Sequence, residues 1–300
     1  MASNEIRRGA AEMIVAMLMS GTIGWLVMSS QQPLTNVVFF RCIFGAATLA
    51  IVCAAFGFLR RSLFSPRMLA LVTLGSLAIV ANWLLLFAAY SRASISMATA
   101  VYHTQPFMLV ALGAIVFRER ITASTLAWLA LAFAGLVFVV RVEPAVLAVP
   151  GEYLEGVALS LGAAFLYAIS SIITKHLKGT PPHLLALLQV GLGIVLLAPF
   201  AHFDTLPATA GQWLDLIVLG IVNTGLMYVL LYGAIQKLPT AMTGALSFVY
   251  PVVAIAVDRV AFGQTLAWTQ VFGALLILLA AAGVNLGWRI VPTRRAAVGN

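Results

Sequence analysis

The sequence has few charged residues, two cysteines and none of the short motifs that mark common enzyme classes. Asp, Glu, Lys and Arg make up 9 % of the 300 residues, whereas soluble proteins carry about 25 %. Hydrophobic residues account for 62 %, and the mean hydropathy is +1.05. In water such a chain would expose large apolar patches, which soluble monomers avoid. The composition therefore predicts a membrane protein and excludes soluble enzymes, disulfide-rich secreted proteins and disordered tails.

The absence of three short motifs argues against two further classes of membrane protein. No G-x-x-x-x-G-K-[ST] sequence occurs, so the chain is not itself an ATP-driven pump. No H-E-x-x-H or G-x-S-x-G occurs either, which argues against an intramembrane enzyme. Cys42 and Cys53 stand about 16 Å apart along a helix, too far for a disulfide. We therefore expect no enzyme activity, no metal and no cofactor, and we expect both cysteines to be small core residues.

Basic residues are scattered along the chain in ones to threes rather than gathered into a stripe. The net charge of +8 therefore does not indicate nucleic-acid binding. The basic residues separate apolar runs that are long enough to cross a bilayer, which takes about 20 residues. In lipid the backbone must satisfy its own hydrogen bonds, so such runs are helices. We predict ten spans, at approximately residues 10–28, 34–58, 68–90, 94–116, 123–141, 154–174, 183–202, 213–233, 241–260 and 267–288.

The distribution of Lys and Arg between the loops predicts the orientation. Thirteen lie on the side of the membrane where the chain begins, and three lie on the other side, namely Arg92, Arg141 and Arg259. The remaining one, Arg41, falls inside the second span. Because basic loops mark the cytoplasmic side, both termini are predicted to be cytoplasmic. We expect a multi-pass protein of a bacterial inner membrane, with the lipid bilayer and a small molecule as its partners.

The second half of the sequence matches the first after a shift of 145 residues. Pro106 then meets Pro251, each in the middle of a span, with no gap needed. Each half holds five spans, and because five is odd the halves enter the membrane in opposite senses. The sequence thus predicts an all-α polytopic membrane protein with ten transmembrane helices in two inverted five-helix repeats, residues 1–145 and 146–300. This arrangement is typical of transporters that alternate access around a central site.

Pro106 and Pro251 have a mechanical consequence. Each removes one helical hydrogen bond and clashes with the carbonyl four residues earlier. We therefore predict that the fourth and ninth helices kink near the midplane, and we assign both prolines to kinking and gating. A kink that serves packing alone stays open as the alternative.

Two segments resemble a known family. FFRCIFGAATLA, around Arg41, and HTQPFMLVALGAIVFRERITASTLAWLALAFAGLVF, residues 103–138, are similar to EamA-type members of the drug/metabolite transporter superfamily. The family pattern has a proline in the fourth helix, an acidic residue opening the next loop and a late glycine in the fifth helix. Here these residues are Pro106, Glu119 and Gly135, whereas the second half has Pro251, Gln264 and Ala280.

The resemblance covers nearly the whole chain and implies a transporter of small molecules. Within the family, the length and the aromatic content near the middle helices resemble exporters of aromatic amino acids. Amino-acid, drug and metabolite exporters share this framework, so the resemblance implies the mechanism more firmly than the substrate.

Polar and aromatic residues inside the spans are the candidates for a substrate site. Such residues are costly in lipid and usually face a cavity or the bundle interior. Aromatic faces stack on an aromatic side chain or hold a cation, and Gln, Asn and His bond a carboxylate or an ammonium group. Trp25, Tyr90 and Trp288, near span ends, are expected in the aromatic belt instead. The candidates for substrate binding are Asn82, Trp83, Tyr102, His103, Gln105, Tyr167, Asn223, Tyr228, Phe248 and Tyr250.

Charged groups inside the spans bear on substrate and coupling. Arg41 lies some seven residues inside its span, and we expect it to be a structural charge. A single basic residue disfavours phosphorylated substrates, and no Asp or Glu lies near the midplane to serve as a proton switch. We therefore predict facilitated export of aromatic or other neutral amino acids through a central cavity. The alternative is export of organic cations, such as quaternary ammonium compounds, or of threonine-type amino acids, with proton coupling through His103.

Overall fold

The computed structural model describes residues 2–93, 95–139, 150–263 and 267–288. Within these residues it contains no strand, nine helices long and apolar enough to cross a membrane, and one shorter apolar helix. The predicted all-α polytopic fold with ten spans is confirmed. In chain order the helices are α1 (Ala2–Ser20 and Ile23–Ser30), α2 (Leu34–Ala55), α3 (Pro66–Ala93), α4 (Ile95–Tyr102 and Gln105–Phe117), α5 (Ala123–Val139), α6 (Pro150–His176), α7 (Pro182–Leu197), α8 (Ala210–Lys237), α9 (Thr240–Ser247 and Val249–Phe262) and α10 (Trp268–Asn285).

Some residues used in the sequence predictions lie outside the described residues. They are Arg141, Gln264, Arg289, Arg294 and Arg295, together with the repeat boundary at 145–146. The full charge count and the boundary therefore stay predictions. We call the side of the bundle at which α1 begins the N-face, and the other side the opposite face.

Several helices extend beyond their apolar runs. α1 begins at Ala2 rather than near residue 10. Its first turns are polar, so the apolar run that predicted the span does not include them. Glu5 lies in the first turn, and Arg8 donates to Glu12 one turn later at 3.0 Å, both favourable arrangements for a helix start. In contrast, α2 ends at Ala55, before the predicted end at residue 58, and Gly57 follows with a φ of +69°, which glycine adopts at little cost.

The predicted kinks occur in α4 and α9 at equivalent positions. The first segment of α4 ends at Tyr102 and the first segment of α9 ends at Ser247. Each of these residues lies four positions before Pro106 or Pro251, whose ring nitrogen has no proton to donate to its carbonyl. The helices therefore break where the proline chemistry requires, near the middle of each span.

Helix contacts follow a two-fold pattern between the halves. α3 packs on α6, and its counterpart α8 packs on α1. The pairs α2 with α7, α4 with α9, and α5 with α10 each join a helix to its own counterpart. Two inverted five-helix halves produce such a pattern, because a contact between two helices recurs between their counterparts. The centre of the bundle is then surrounded by segments of α1, α3, α4, α6, α8 and α9.

Two ion pairs repeat the same pattern at opposite faces. Lys237, at the end of α8, contacts Glu12 of α1 at 2.5 Å. Arg92, at the end of α3, contacts Glu155 of α6 at 3.1 Å. Arg92 and Lys237 are 145 positions apart and therefore occupy equivalent positions in the two halves. Each forms an ion pair between equivalent helices, α3 with α6 and α8 with α1.

Candidate substrate cavity

A central cavity of about 230 Å³ lies between the helices. Its wall combines parts of α1, α2, α3, α4, α6, α8 and α9, so both halves contribute. Most of the lining residues of α2, α3 and α4 belong to the helix portions nearer the opposite face. The lining residues are Met17, Ser20, Ile23, Arg41, Ile79, Asn82, Trp83, Leu86, Phe87, Tyr90, Thr99, Tyr102, His103, Gln105, Tyr167, Met227, Tyr228, Leu231, Ser247 and Tyr250.

Most of the residues proposed from sequence lie on this wall. They are Asn82, Trp83, Tyr102, His103, Gln105, Tyr167, Tyr228 and Tyr250. Phe248 and Asn223 lie elsewhere. Phe248 is fully buried in a second apolar core formed mainly with α5 and α10, with its ring centroid 6.1 Å from that of His103. Pro106 and Pro251 are buried at the helix breaks beside the cavity.

Asn223 joins two irregular helix segments instead of facing the cavity. Its Nδ2 donates to the Met19 carbonyl at 2.7 Å and to Thr22 Oγ1 at 3.1 Å, at the break in α1. Asn223 itself lies in a π-helical turn of α8, Ile221–Leu226. Such turns leave backbone groups to be satisfied by neighbours and are frequent at functional sites.

Arg41 was expected to be a structural charge, and its guanidinium does bond to this π-helical turn. Nε donates to Thr224 Oγ1 at 2.9 Å, and Nη2 donates to the Asn223 carbonyl at 3.4 Å. The side chain also forms part of the cavity wall, with its guanidinium carbon 5.8 Å from the ring centroid of Trp83. Arg41 thus links α2 to α8 and brings a positive charge to the cavity.

Hydrogen bonds fix the polar groups on α3 and α4. Asn82 Nδ2 donates to the Ala163 carbonyl at 2.7 Å and to the Tyr102 hydroxyl at 3.3 Å. Both amide protons are therefore used, and Oδ1 is left as an acceptor. Gln105 is also buried, and its Oε1 has no partner among the described residues.

His103 is held in one tautomer. Its Nδ1 lies 2.8 Å from the Thr99 carbonyl, which only accepts, so Nδ1 carries the proton and Nε2 is the acceptor. The imidazole stacks on the Tyr250 ring, with centroids 5.7 Å apart. α4 and α9 thus meet at the cavity through an aromatic contact beside both helix breaks.

Sequence reasoning missed part of the wall, and Tyr90 is the clearest case. It was predicted to lie in the aromatic belt, and this was wrong, because the residue lines the cavity. Trp83, Phe87 and Tyr90 follow one another at spacings of four and three, which places them on one helix face. That spacing was a usable signal. Trp25 and Trp288, by contrast, are exposed near helix ends as expected.

Ionic and hydroxyl contacts join α6, the α4–α5 loop and α9 at the N-face. Lys175 of α6 contacts Glu119, in the α4–α5 loop, at 2.6 Å and donates to the Leu238 carbonyl at 2.8 Å. Glu119 also accepts from the Thr240 backbone at 3.0 Å and from the Thr240 hydroxyl. We call Glu119, Lys175 and Thr240 the N-face latch. Burial alone would raise the pKa of Glu119, but its hydrogen bonds to Lys175 and Thr240 and the Lys175 charge lower it.

The described residues contain no group of three or more His, Cys, Asp or Glu side chains placed to hold a metal ion. Cys42 and Cys53 are both buried and unbonded, which confirms the prediction that they form no disulfide.

Residues 7–141 and 154–286 each match the EamA-like transporter family. The chain belongs to this family. The resemblance stated from the sequence is therefore confirmed, together with the assignment as a membrane transporter of the drug/metabolite type. The two matches fall in the two halves of the chain, with α1 to α5 in the first and α6 to α10 in the second.

Individual relatives are similar along most of their length. An "Uncharacterized transporter YxxF" of Bacillus subtilis (strain 168) is 26 % identical over 275 residues, covering 89 % of this chain and 88 % of the relative. A "Probable amino-acid metabolite efflux pump" of Salmonella typhimurium is 30 % identical over 215 residues, covering 66 % and 70 %. One solved crystal structure, 20 % identical, superimposes with a TM-score of 0.80 over 93 % of this chain and 97 % of its own, which shows the shared fold.

Proposed function

We propose that this EamA-family protein exports aromatic or other neutral amino acids by alternating access through the central cavity, without coupling to ATP or protons. The observation that carries the proposal is the aromatic wall. Five of the seven tyrosines of the chain line the cavity, together with Trp83 and Phe87. Tyrosine offers a ring face for an aromatic side chain and a hydroxyl for a polar group.

The size of the cavity supports a small substrate. Sites for drug-sized ligands enclose about 300–1,000 Å³, and this cavity encloses about 230 Å³. An amino acid suits that volume better than a bulky drug. The Salmonella relative named as an amino-acid metabolite efflux pump points to the same class.

Alternating access is supported by the N-face latch and the repeated helix breaks. The latch joins helices at the N-face, while the cavity lies in the half of the bundle toward the opposite face. With the orientation predicted from the basic residues, the N-face is cytoplasmic, both termini are cytoplasmic, and this conformation faces outward from a bacterial inner membrane. We propose a carrier and not an enzyme, in line with the family.

Counterflow in proteoliposomes tests the proposal. Vesicles holding the purified protein are preloaded with unlabelled tryptophan, and uptake of labelled tryptophan is followed with and without a pH gradient. Threonine and a quaternary dication serve as competitors. We expect uptake without a gradient, with the dication the weakest competitor. Uptake that requires the gradient would favour proton-coupled export, and strong competition by the dication would favour a cation exporter.

A matched pair of tryptophan variants tests the cavity itself. Trp83→Ala removes a ring from the wall, whereas Trp268→Ala removes one that is 87 % exposed on the outside of the bundle. Because aromatic pairs contribute about 0.5–1.5 kcal/mol, we expect Trp83→Ala to weaken tryptophan counterflow about 2- to 10-fold. Trp268→Ala should leave it unchanged. Equal effects of both variants would contradict the assignment of this cavity.

A further inference from the structure

Arg41 is the one residue with a full charge among the described residues of the cavity wall. Every other lining residue is apolar, aromatic, a hydroxyl, an amide or the imidazole of His103. Arg41 is 8 % exposed, and a guanidinium cannot be deprotonated in a protein. The cavity therefore carries a permanent positive charge that no residue of its own wall neutralises.

The described residues engage only some of the N–H donors of the Arg41 guanidinium. Arginine has five N–H donors, and among the described residues two hydrogen bonds engage it, to Thr224 and to the Asn223 carbonyl. None of the ion pairs within the described chain includes Arg41. Its remaining donors belong to a side chain that lines the cavity. A charge in this setting is costly unless an anion or a dipole meets it.

Besides Arg41, the cavity wall holds an acceptor that suits an ammonium group. Asn82 Oδ1 is left as an acceptor once both amide protons are bonded. Asn82 is adjacent in sequence to Trp83, whose ring lies 5.8 Å from the guanidinium. The cavity wall therefore offers a donor for a carboxylate, an acceptor for an ammonium and an aromatic ring, a set of groups that matches a zwitterionic amino acid.

We propose that Arg41 binds the carboxylate of the transported molecule and thereby makes this carrier selective for amino acids and related monocarboxylates over organic cations. This inference rests on the proposed transport function and names the group that sets its substrate class. One guanidinium pairs with one carboxylate in a charge-assisted and often bidentate contact. A cationic ligand lacking a carboxylate would meet an unneutralised like charge in the same small space.

The test compares four indole compounds that differ only in their charged groups: tryptophan, indole-3-propionate, tryptamine and tryptophan amide. Two readouts are taken on the wild-type protein: the shift of its thermal unfolding midpoint in detergent, and competition in tryptophan counterflow. We expect tryptophan and indole-3-propionate to bind, and tryptamine and the amide to bind about 10- to 100-fold more weakly. That range follows from the strength of hydrogen bonds to charged groups.

Two variants connect the preference to Arg41. Arg41→Gln should abolish the preference for carboxylates, with tryptamine binding as well as or better than tryptophan. The control Arg7→Gln removes a guanidinium from the exposed start of α1 and should preserve the preference. Because Arg41 also bonds to α8, a variant that fails to fold would be uninformative, and the wild-type compound series then decides alone.

The outcomes separate this proposal from the transport function. Midpoint shifts by the two acids without counterflow would uphold the carboxylate site and reject amino-acid transport. Counterflow of tryptophan with equal or stronger competition by tryptamine would uphold transport and overturn the role of Arg41. An acid preference that survives in folded Arg41→Gln would also overturn it. No binding by any of the four compounds would reject both proposals.

Discussion

The imidazole of His103 lies parallel to the phenol ring of Tyr250, with the ring planes 7° apart and the centroids separated by 5.7 Å. His103 follows the first segment of α4, and Tyr250 lies in the first turn of the second segment of α9, so the contact joins the two proline breaks. The proton on Nδ1 is committed to the Thr99 carbonyl. This hydrogen bond keeps the Nδ1 proton within the cavity wall and argues against His103 as a carrier of protons.

His103→Asn should therefore keep transport. The asparagine amide can donate to the Thr99 carbonyl as the imidazole does, so we expect counterflow within about threefold of wild type. Its pH dependence between about pH 5 and 8, where an ordinary histidine titrates, should be unchanged. Tyr250→Phe, which keeps the ring, is the matched control and should behave likewise. Loss of gradient-stimulated uptake in His103→Asn alone would show proton coupling through this residue.

The proline breaks are expected to matter more for transport than for stability. Pro106→Ala or Pro251→Ala restores an N–H that can bond to the carbonyl of Tyr102 or Ser247. Because proline costs about 3 kcal/mol inside a helix, the unfolding midpoint should not fall. A straightened helix should slow counterflow, by about tenfold for 1.4 kcal/mol of added barrier.

Pro182→Ala is the control for these substitutions, because Pro182 occupies the start of α7, where no helical hydrogen bond is lost. It should leave counterflow unchanged. If the two alanine variants at the breaks transport as fast as wild type, the prolines serve packing alone, the alternative that the sequence left open.

The accuracy of the sequence predictions depended on whether a signal was local. Pro106 and Pro251 determine breaks within their own helices, and the apolar runs determine spans, so both could be predicted. The direction of the Asn223 side chain could not be predicted. Its hydrogen-bond partners Met19 and Thr22 are about 200 positions away, and these bonds form only when α1 packs on α8. Arg41 is similar: its depth in the membrane was evident, but its position on the cavity wall depends on contacts between α2 and α8.

Close packing of α5 on α10 depends on two glycines. A Cβ added to Gly135 would lie 2.7 Å from the Gly273 carbonyl oxygen, and one added to Gly273 would meet the Gly135 carbonyl even more closely. Gly135→Ala and Gly273→Ala should each destabilise the protein by about 1–3 kcal/mol, the usual cost of overpacking. The measurement is the thermal unfolding midpoint in detergent. Gly191→Ala, where an added Cβ meets nothing within 4 Å, should leave the midpoint unchanged or slightly raised.

The N-face latch gives the last prediction, which concerns the conformational equilibrium. Glu119→Gln removes the charge that pairs with Lys175 and should favour opening of the N-face. In a background with Cys42 and Cys53 replaced by alanine, Leu231→Cys places a thiol on the cavity wall. A membrane-impermeant maleimide applied from the N-face should then label it about 3- to 10-fold faster when Glu119→Gln is added, since charged hydrogen bonds contribute about 1.5–3 kcal/mol and partial exposure reduces this.

The pH dependence of the labelling has a definite sign. Because the pKa of Glu119 is lowered from its ordinary value of 4.5, the latch contributes fully above that value and is lost as the pH falls below it. Because maleimide reacts with the thiolate, whose fraction itself changes with pH, the quantity compared is the ratio of the labelling rates with and without Glu119→Gln at each pH. This ratio should stay constant between about pH 5 and 8 and fall toward one in more acidic buffer, where Glu119 becomes protonated in the latch-intact protein. Arg92→Gln, which breaks the ion pair with Glu155 at the opposite face, should not accelerate labelling from the N-face. Equal acceleration by both variants would mean that general loosening of the bundle, and not the latch, controls access.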